Sequence, residues 1–206
     1  MVLTMRRGCR SRLITRIAPI RLASAPNFRP VSGVRGLWRT DDLDGCTPLE
    51  QRVVMELGIT EMIAMNARTD PSIPGVKRRY YPISNAGERL EFYRGYVTRK
   101  DSRESVGRVL RRVARTQGAV VVHCKAGKDR TGWVCDLMQA VAGVHPEVRD
   151  LDYLATRSYS GGSVELEWLE AARTQLAQDY GSVTDYLVDG CDVSRAELQR
   201  LVARLR

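Results

Sequence analysis

The 206-residue sequence predicts an α/β fold: a central, mainly parallel sheet of about four or five strands flanked by helices, with extra helices at the C-terminus. Three observations predict it. Short apolar, β-branched runs alternate along the chain with segments whose apolar residues recur every three or four positions. Ala119 and the valines Val120, Val121 and Val122 form an unbroken apolar run of the kind buried on both faces of a parallel sheet. The last quarter carries two helix-start patterns, at residues 182–185 and 194–197. A chain of this length with 43% hydrophobic residues is one domain, or one domain with a tail.

Residues 20–28 read as an opening strand. After the acidic turn 41–45, Thr47 as N-cap, Pro48 at N1 and Glu50 at N3 start a helix. Val53, Val54 and Leu57 would be its inner face, and Gly58 its end. Residues 59–65 form a strand; Pro71, Pro74 and Gly75 mark a loop; residues 76–83 form another strand, where Pro82 implies an edge or exit. Residues 84–87 turn into a helix over 88–99, with Phe92, Tyr93 and Tyr96 as packing residues. Asp101 or Ser102 would cap a further helix that buries Val106, Val109, Leu110 and Val113 and ends near Gly118. The valine strand follows.

From Thr131, apolar Val134, Leu137, Met138 and Val141 predict a helix stopped by Gly143. Pro146 opens a helix through Tyr153 and Leu154, and residues 159–162 are a flexible loop. A helix over 164–178 turns Leu166, Leu169, Ala172 and Leu176 inward; the two final capping patterns start helices over Tyr186 and Leu187 and over 198–205. No internal repeat is present.

The chemistry concentrates where the valine strand ends, in His123, Cys124, Lys125, Ala126, Gly127, Lys128, Asp129, Arg130, Thr131 and Gly132. A loop between a strand and a helix can turn its backbone N–H groups into one bowl, and the helix adds the positive end of its dipole. Such a bowl suits a phosphate dianion. Cys124 opens the loop, where the same field favours the nucleophilic thiolate. Arg130 closes it, and its planar fork can hold two phosphate oxygens. The Thr131 hydroxyl could assist the sulfur as a leaving group, and His123 would brace the loop from the strand. Only four lysines occur among 33 cationic residues, and two of them, Lys125 and Lys128, fall in this loop. Compact point charges there point to extra anionic groups on the ligand.

This stretch resembles the Cys-x5-Arg phosphate loop of the protein tyrosine phosphatase superfamily, in its His-Cys-x5-Arg-Thr-Gly form. Cys-Lys-Ala-Gly-Lys-x-Arg-Thr-Gly is similar to the loop of the phosphatase-and-tensin type, in which the two lysines contact further phosphates of an inositol ring. Gly-Lys-Asp-Arg-Thr-Gly resembles a bacterial family of tyrosine and phosphoinositide phosphatases. In that family Asn27-Phe28-Arg29-Pro30 corresponds to Asn-Phe-Arg-Asp, with Pro30 replacing the Asp. Residues 36–40 correspond to its second short strand, Asn66-Ala67-Arg68 to its Asp-Leu-Arg, and residues 180–187 to its C-terminal end, so the resemblance covers 20–206.

The resemblance implies a dual-specificity-phosphatase-like fold, a cysteinyl-phosphate intermediate, no metal and no cofactor. Its substrates would be phosphotyrosine, with phosphoserine and phosphothreonine left open, and phosphoinositides. The superfamily's general acid is an aspartate on a neighbouring loop; the matching position here is Asn85, which cannot donate as an acid. Asp129 is the first candidate instead, with Asp70 and Asp101 as others. An alternative is that Asp129 only orients Arg130 or balances the lysines. A phosphate-binding pseudophosphatase without turnover is the alternative function.

The net charge of +9 is an N-terminal property. Residues 1–39 hold nine arginines, no lysine and no acid, leaving 24 basic and 24 acidic residues that cancel. A general nucleic-acid surface is therefore not expected of the domain. Residues 1–19 read as a basic tail: a disordered segment, an anchor on anionic membrane or a targeting segment. No run of about 18 apolar residues occurs. Five widely spaced cysteines suggest neither a zinc site nor a disulfide framework. A reducing, cytoplasmic setting suits a working thiolate, with export lacking a recognisable signal left open; the oligomeric state is not specified.

Overall fold

The computed structural model describes residues 20–66 and 70–206. Its sheet has five strands in the order β1-β2-β5-β3-β4: β1 Arg29–Pro30, β2 Leu37–Thr40, β3 Ile59–Ala64, β4 Lys77–Tyr80 and β5 Ala119–His123. All neighbours are parallel except β1 and β2. The valine strand β5 is central. Its period of two divides the core. Val120 and Val122 face a large cluster built with α2 (Arg89–Thr98), α3 (Lys100–Arg115), α4 (Asp129–Ala142), α7 (Leu166–Tyr180) and α9 (Arg195–Leu205). Val121 faces a smaller one with Leu22, Phe28, Leu43, Met62 and Val54 of α1 (Pro48–Glu56). Thr40 and Ala64 both stand opposite His123, so three strands end level with one another just before Cys124.

Local chemistry explains the boundaries. Thr47 and Glu50 form the reciprocal capping box of α1, with Pro48 in its first turn. Val109, Leu110, Val106 and Val113 are fully buried along α3. Gly143 ends α4 at φ 82°, and Pro146 opens α5, Pro146–Leu154.

Five expectations are corrected. Residues 20–28 form no strand. The Ser24 backbone N–H and hydroxyl both donate to the Glu50 carboxylate at 2.9 Å, the Asn27 N–H donates to Asp41 and the Phe28 N–H to the Ala25 carbonyl, so these groups are satisfied without a sheet neighbour. β4 is shorter than 76–83: its regular ladder spans Lys77–Tyr80, and beyond it the N–H groups of Tyr81 and Ile83, on either side of Pro82, still donate to the Ala64 and Met65 carbonyls. Neither Asp101 nor Ser102 caps α3. Arg99 alone joins α2 to α3 in extended conformation, serving as C-cap of one and N-cap of the other. Residues 159–162 are only partly loop, since α6 spans Thr156–Ser160 and ends at Gly161 with φ 65°. The pattern at 182–185 makes half a box. The Ser182 hydroxyl accepts from the Asp185 N–H, while Asp185, one methylene shorter than Glu, bonds the hydroxyl rather than the Ser182 N–H. The short helix α8 (Val183–Asp185) then passes into a π-helical turn, Tyr186–Gly190. The Ser194 box is complete. The readings on residues 1–19 and on Ala67 and Arg68 lie outside the described residues.

Candidate active site

The loop from Cys124 to Lys128 leaves the end of β5 and runs into α4, whose first turn contains Asp129, Arg130 and Thr131. Its backbone is held from one side. The Lys125 carbonyl accepts from the Asp42 N–H at 3.2 Å. The Ala126 and Gly127 carbonyls accept from Asn27 Nδ2 at 3.2 and 3.0 Å. Arg39 Nη2 also donates to the Gly127 carbonyl, at 2.9 Å. A trans peptide points its C=O and the following N–H in opposite directions, and no cis bond is present among the described residues. The amides of Ala126, Gly127 and Lys128 are therefore turned to the opposite side. They and the first-turn amides of α4 have no protein acceptor among the described residues. Gly127 makes this possible: its φ is 62°, and a Cβ there would lie 2.3 Å from the Thr40 carbonyl oxygen.

Behind the loop lies a buried polar cluster. Arg39 is fully buried in β2 and pairs through Nη1 with Asp152 of α5 at 2.7 Å. Arg29 of β1 donates to the Asn27 side-chain oxygen, to the Asp152 carbonyl at 2.8 Å and to Thr156 at 3.3 Å. Ser32 donates twice to Asp152. Burial and the neighbouring Arg39 pull Arg29 down to about 9, so it stays cationic at neutral pH. Burial works against the Arg39 charge too, but Asp152 more than restores it.

Each sequence-predicted residue has a definite place. Cys124 is buried at the end of β5. Burial pushes the other described thiols, Cys46, Cys135 and Cys191, up to about 11, 12 and 12, so they are neutral. Arg130 Nη1 is anchored on the carbonyls of Met65 and Ile83 at 3.1 and 3.4 Å, and its Nε has no partner among the described residues. The buried Thr131 hydroxyl is also without one. His123 is buried with Nε2 3.1 Å from Asp70 Oδ1, and its carbonyl accepts from the Met65 N–H. Lys125 points outward onto Asp42, at 2.6 Å. Lys128 makes no ion pair among the described residues and passes beside Gly162, where a Cβ would lie 3.0 Å from its Cδ.

The candidate acids separate. Asp70 is buried on His123, and Asp101 lies in the first turn of α3. The Asp129 carboxylate makes no ion pair with Arg130 or a loop lysine among the described residues. It accepts from Arg89 Nη1 at 3.2 Å and from the Tyr93 hydroxyl at 2.9 Å. Tyr93 in turn lies 2.6 Å from the Tyr153 hydroxyl. Burial, with Tyr153 and Asp129 nearby, raises Tyr93 and keeps it a protonated donor. Asn85 accepts from the Tyr96 hydroxyl at 2.7 Å. No group of three or more His, Cys, Asp or Glu is placed to hold a metal among the described residues, and no helix there is long and apolar enough to cross a membrane.

Sequence reasoning missed Asn27, Arg29, Arg39, Asp152, Arg89 and Tyr153 as companions of the loop, and took Tyr93 as packing alone. The available signal was weak: two arginines at the ends of short strands, one of them in the Asn-Phe-Arg segment.

A curated relative, the triple specificity protein phosphatase PtpB of Mycobacterium tuberculosis, is 29% identical over 143 residues, covering 53% of this chain and 51% of the relative; the chain thus spans about half the relative's length. The catalytic domain of the PP-IP phosphatase SIW14 from S. cerevisiae, solved with citrate, superposes with a TM-score of 0.52 at 12% identity, over 80% of this chain and 92% of that one. A second structure of the Siw14 catalytic core gives 0.50 at 12% identity, over 75% and 92%. At such identities these two likenesses concern the fold. The family model described as the tyrosine phosphatase family matches residues 20–206, and the chain belongs to that family.

Proposed function

We propose that the chain is a cysteine-dependent phosphatase acting on phosphotyrosine, on phosphoserine or phosphothreonine where they fit, and on phosphoinositides, through a cysteinyl-phosphate intermediate. The observation that supports this best is the run of loop carbonyls tied back by Asn27, Arg39 and Asp42, which leaves the amides of residues 126–131 free to receive a phosphate. The Cys124 sulfur attacks phosphorus in line, and the S–P bond forms as the bond to the leaving oxygen breaks. Asp129 gives that oxygen its proton. The amides and Arg130 hold the equatorial oxygens, where charge is spread. Water then attacks the phosphocysteine and loses its proton to the Asp129 carboxylate; phosphate departs and the thiolate is restored, with Thr131 donating to it. Lys125 and Lys128 favour substrates with further phosphates, as does the likeness to PtpB, a triple specificity enzyme by name.

A second reading, a phosphate-binding protein without turnover, is motivated by Asn85 at the position where the superfamily places its acid. The test is turnover of an aryl phosphate, a phosphotyrosine peptide and a phosphoinositide panel by wild type and Cys124→Ser with EDTA present. Metal-independent hydrolysis abolished by the substitution is expected. Phosphate binding with no hydrolysis by wild type would establish the second reading instead.

A further inference from the structure

We propose that Arg39 and Asn27 are positioning residues for the anion-binding loop: from the buried side they fix the direction of its amides. This rests on the loop being a phosphate site, but it concerns binding rather than turnover.

Four observations lead to it. Both residues are completely buried, so neither hydrogen bond competes with water. Both donate to one atom, the Gly127 carbonyl oxygen, at 2.9 and 3.0 Å, and Asn27 also reaches the Ala126 carbonyl. These are the carbonyls whose reversal would turn the Gly127 and Lys128 N–H groups away from an incoming anion. Finally, Arg39 uses its two terminal nitrogens for different purposes: Nη1 binds Asp152 of α5 while Nη2 binds the loop. A planar fork fixes both directions from two separate nitrogens; a lysine keeps the charge but offers one nitrogen without that fixed geometry.

The cluster is also charged. Arg29 and Arg39 bring two guanidinium charges; among the described residues the Asp152 carboxylate pairs with Arg39, and Asp41 accepts from the Asn27 N–H beside them. Charge removed from water acts over longer distances than surface charge, so the field of the guanidiniums favours an anion in the bowl. Asp152 therefore couples the placement of α5 to the loop, although it does not touch the loop itself.

The experiment measures binding of inorganic phosphate and orthovanadate by calorimetry, using the full chain with Cys124→Ser as parent so that no turnover intervenes. Arg39→Lys and Asn27→Ala are each introduced, and near-ultraviolet circular dichroism and melting temperature establish folding. Each variant is expected to weaken anion binding by about tenfold or more. Because the two donors share one carbonyl, the double variant should be less than additive. Val109→Ala, in α3, provides a control that lowers the melting temperature without loosening the anion. If Arg39→Lys does not fold, Asn27→Ala decides alone. A folded variant that binds phosphate within about twofold of the parent overturns the proposal, as does Val109→Ala losing as much affinity as the loop variants. If wild type proves inactive yet anion binding depends on Arg39 and Asn27, the catalytic reading fails and this one stands.

Discussion

The Tyr93 hydroxyl lies 2.9 Å from Asp129 Oδ1, joining α2 to the first turn of α4 at the residue proposed to protonate the leaving oxygen. A hydroxyl donor and the Arg89 guanidinium share that oxygen, so the carboxyl is oriented by a second helix rather than by its own loop. Removing the acid matters most when the leaving group is poor. Asp129→Asn should cost about 10²–10⁴-fold in kcat on phenyl phosphate and far less on p-nitrophenyl phosphate. Tyr93→Phe should lower kcat several-fold, about 1 kcal/mol, and leave KM unchanged. Equal losses on the two aryl phosphates would remove Asp129 from the acid role.

Asp42 should modulate the response to polyanions. Its carboxylate lies 2.6 Å from Lys125 Nζ and, with Asp44 nearby, raises the lysine and keeps it cationic. That ammonium is engaged before a substrate arrives. Asp42→Asn should therefore raise kcat/KM on phosphoinositides relative to a phosphotyrosine peptide, by a few-fold given the exposure of the pair. Lys125→Ala and Lys128→Ala should move the same ratio the other way. Measuring both substrates with each variant checks this, and equal losses on lipid and peptide would refute it.

Asp152 should be the most costly single charge to remove. Asp152→Ala leaves two buried guanidiniums facing each other, and a loss of about 3–5 kcal/mol in urea unfolding is expected. The sign with pH follows from its environment. Burial alone would raise this carboxyl, but Arg39, Arg29 and the Ser32 N–H hold it below its ordinary value. Its contribution is thus full above the unfolded carboxylate range and disappears as pH falls through the lower folded value.

Glu50 offers a second acid-side measurement. Burial works against its charge, but donors from Ser24 and Thr47 bring it from 4.5 down to about 2. Stability from this site is complete above about 4.5 and lost toward about 2. The melting temperature of Glu50→Gln should lie below that of wild type at neutral pH, and the gap should close as pH approaches the lower value.

Signals written within a few residues of one another were legible. The valine run located the central strand, and Thr47 with Glu50 located α1 to the residue, because a capping box is a local contract between neighbours. The reactive loop was visible for the same reason. Its supports were not. Arg39 meets Asp152 across 113 positions and Gly127 across 88, and no periodicity marks such a pair. The arginines of residues 1–39 read as one basic stretch, yet Arg29 and Arg39 are buried inside. Residues 20–28 misled because a β-like composition says nothing about the Glu50 and Asp41 carboxylates that take the Ser24 and Asn27 backbone donors.

The parts that shape the bowl span the chain from Asn27 to Thr156. Cys124 emerges from the ribosome with β2 and β3 already made, but before α5 and its aspartate. A nascent chain halted between Cys124 and Asp152 owns the sulfur and the donors Asn27 and Arg39, but not the carboxylate that holds Arg39 in place. The bridge from α5 through Arg39 to the loop is therefore completed later in synthesis than the donors themselves.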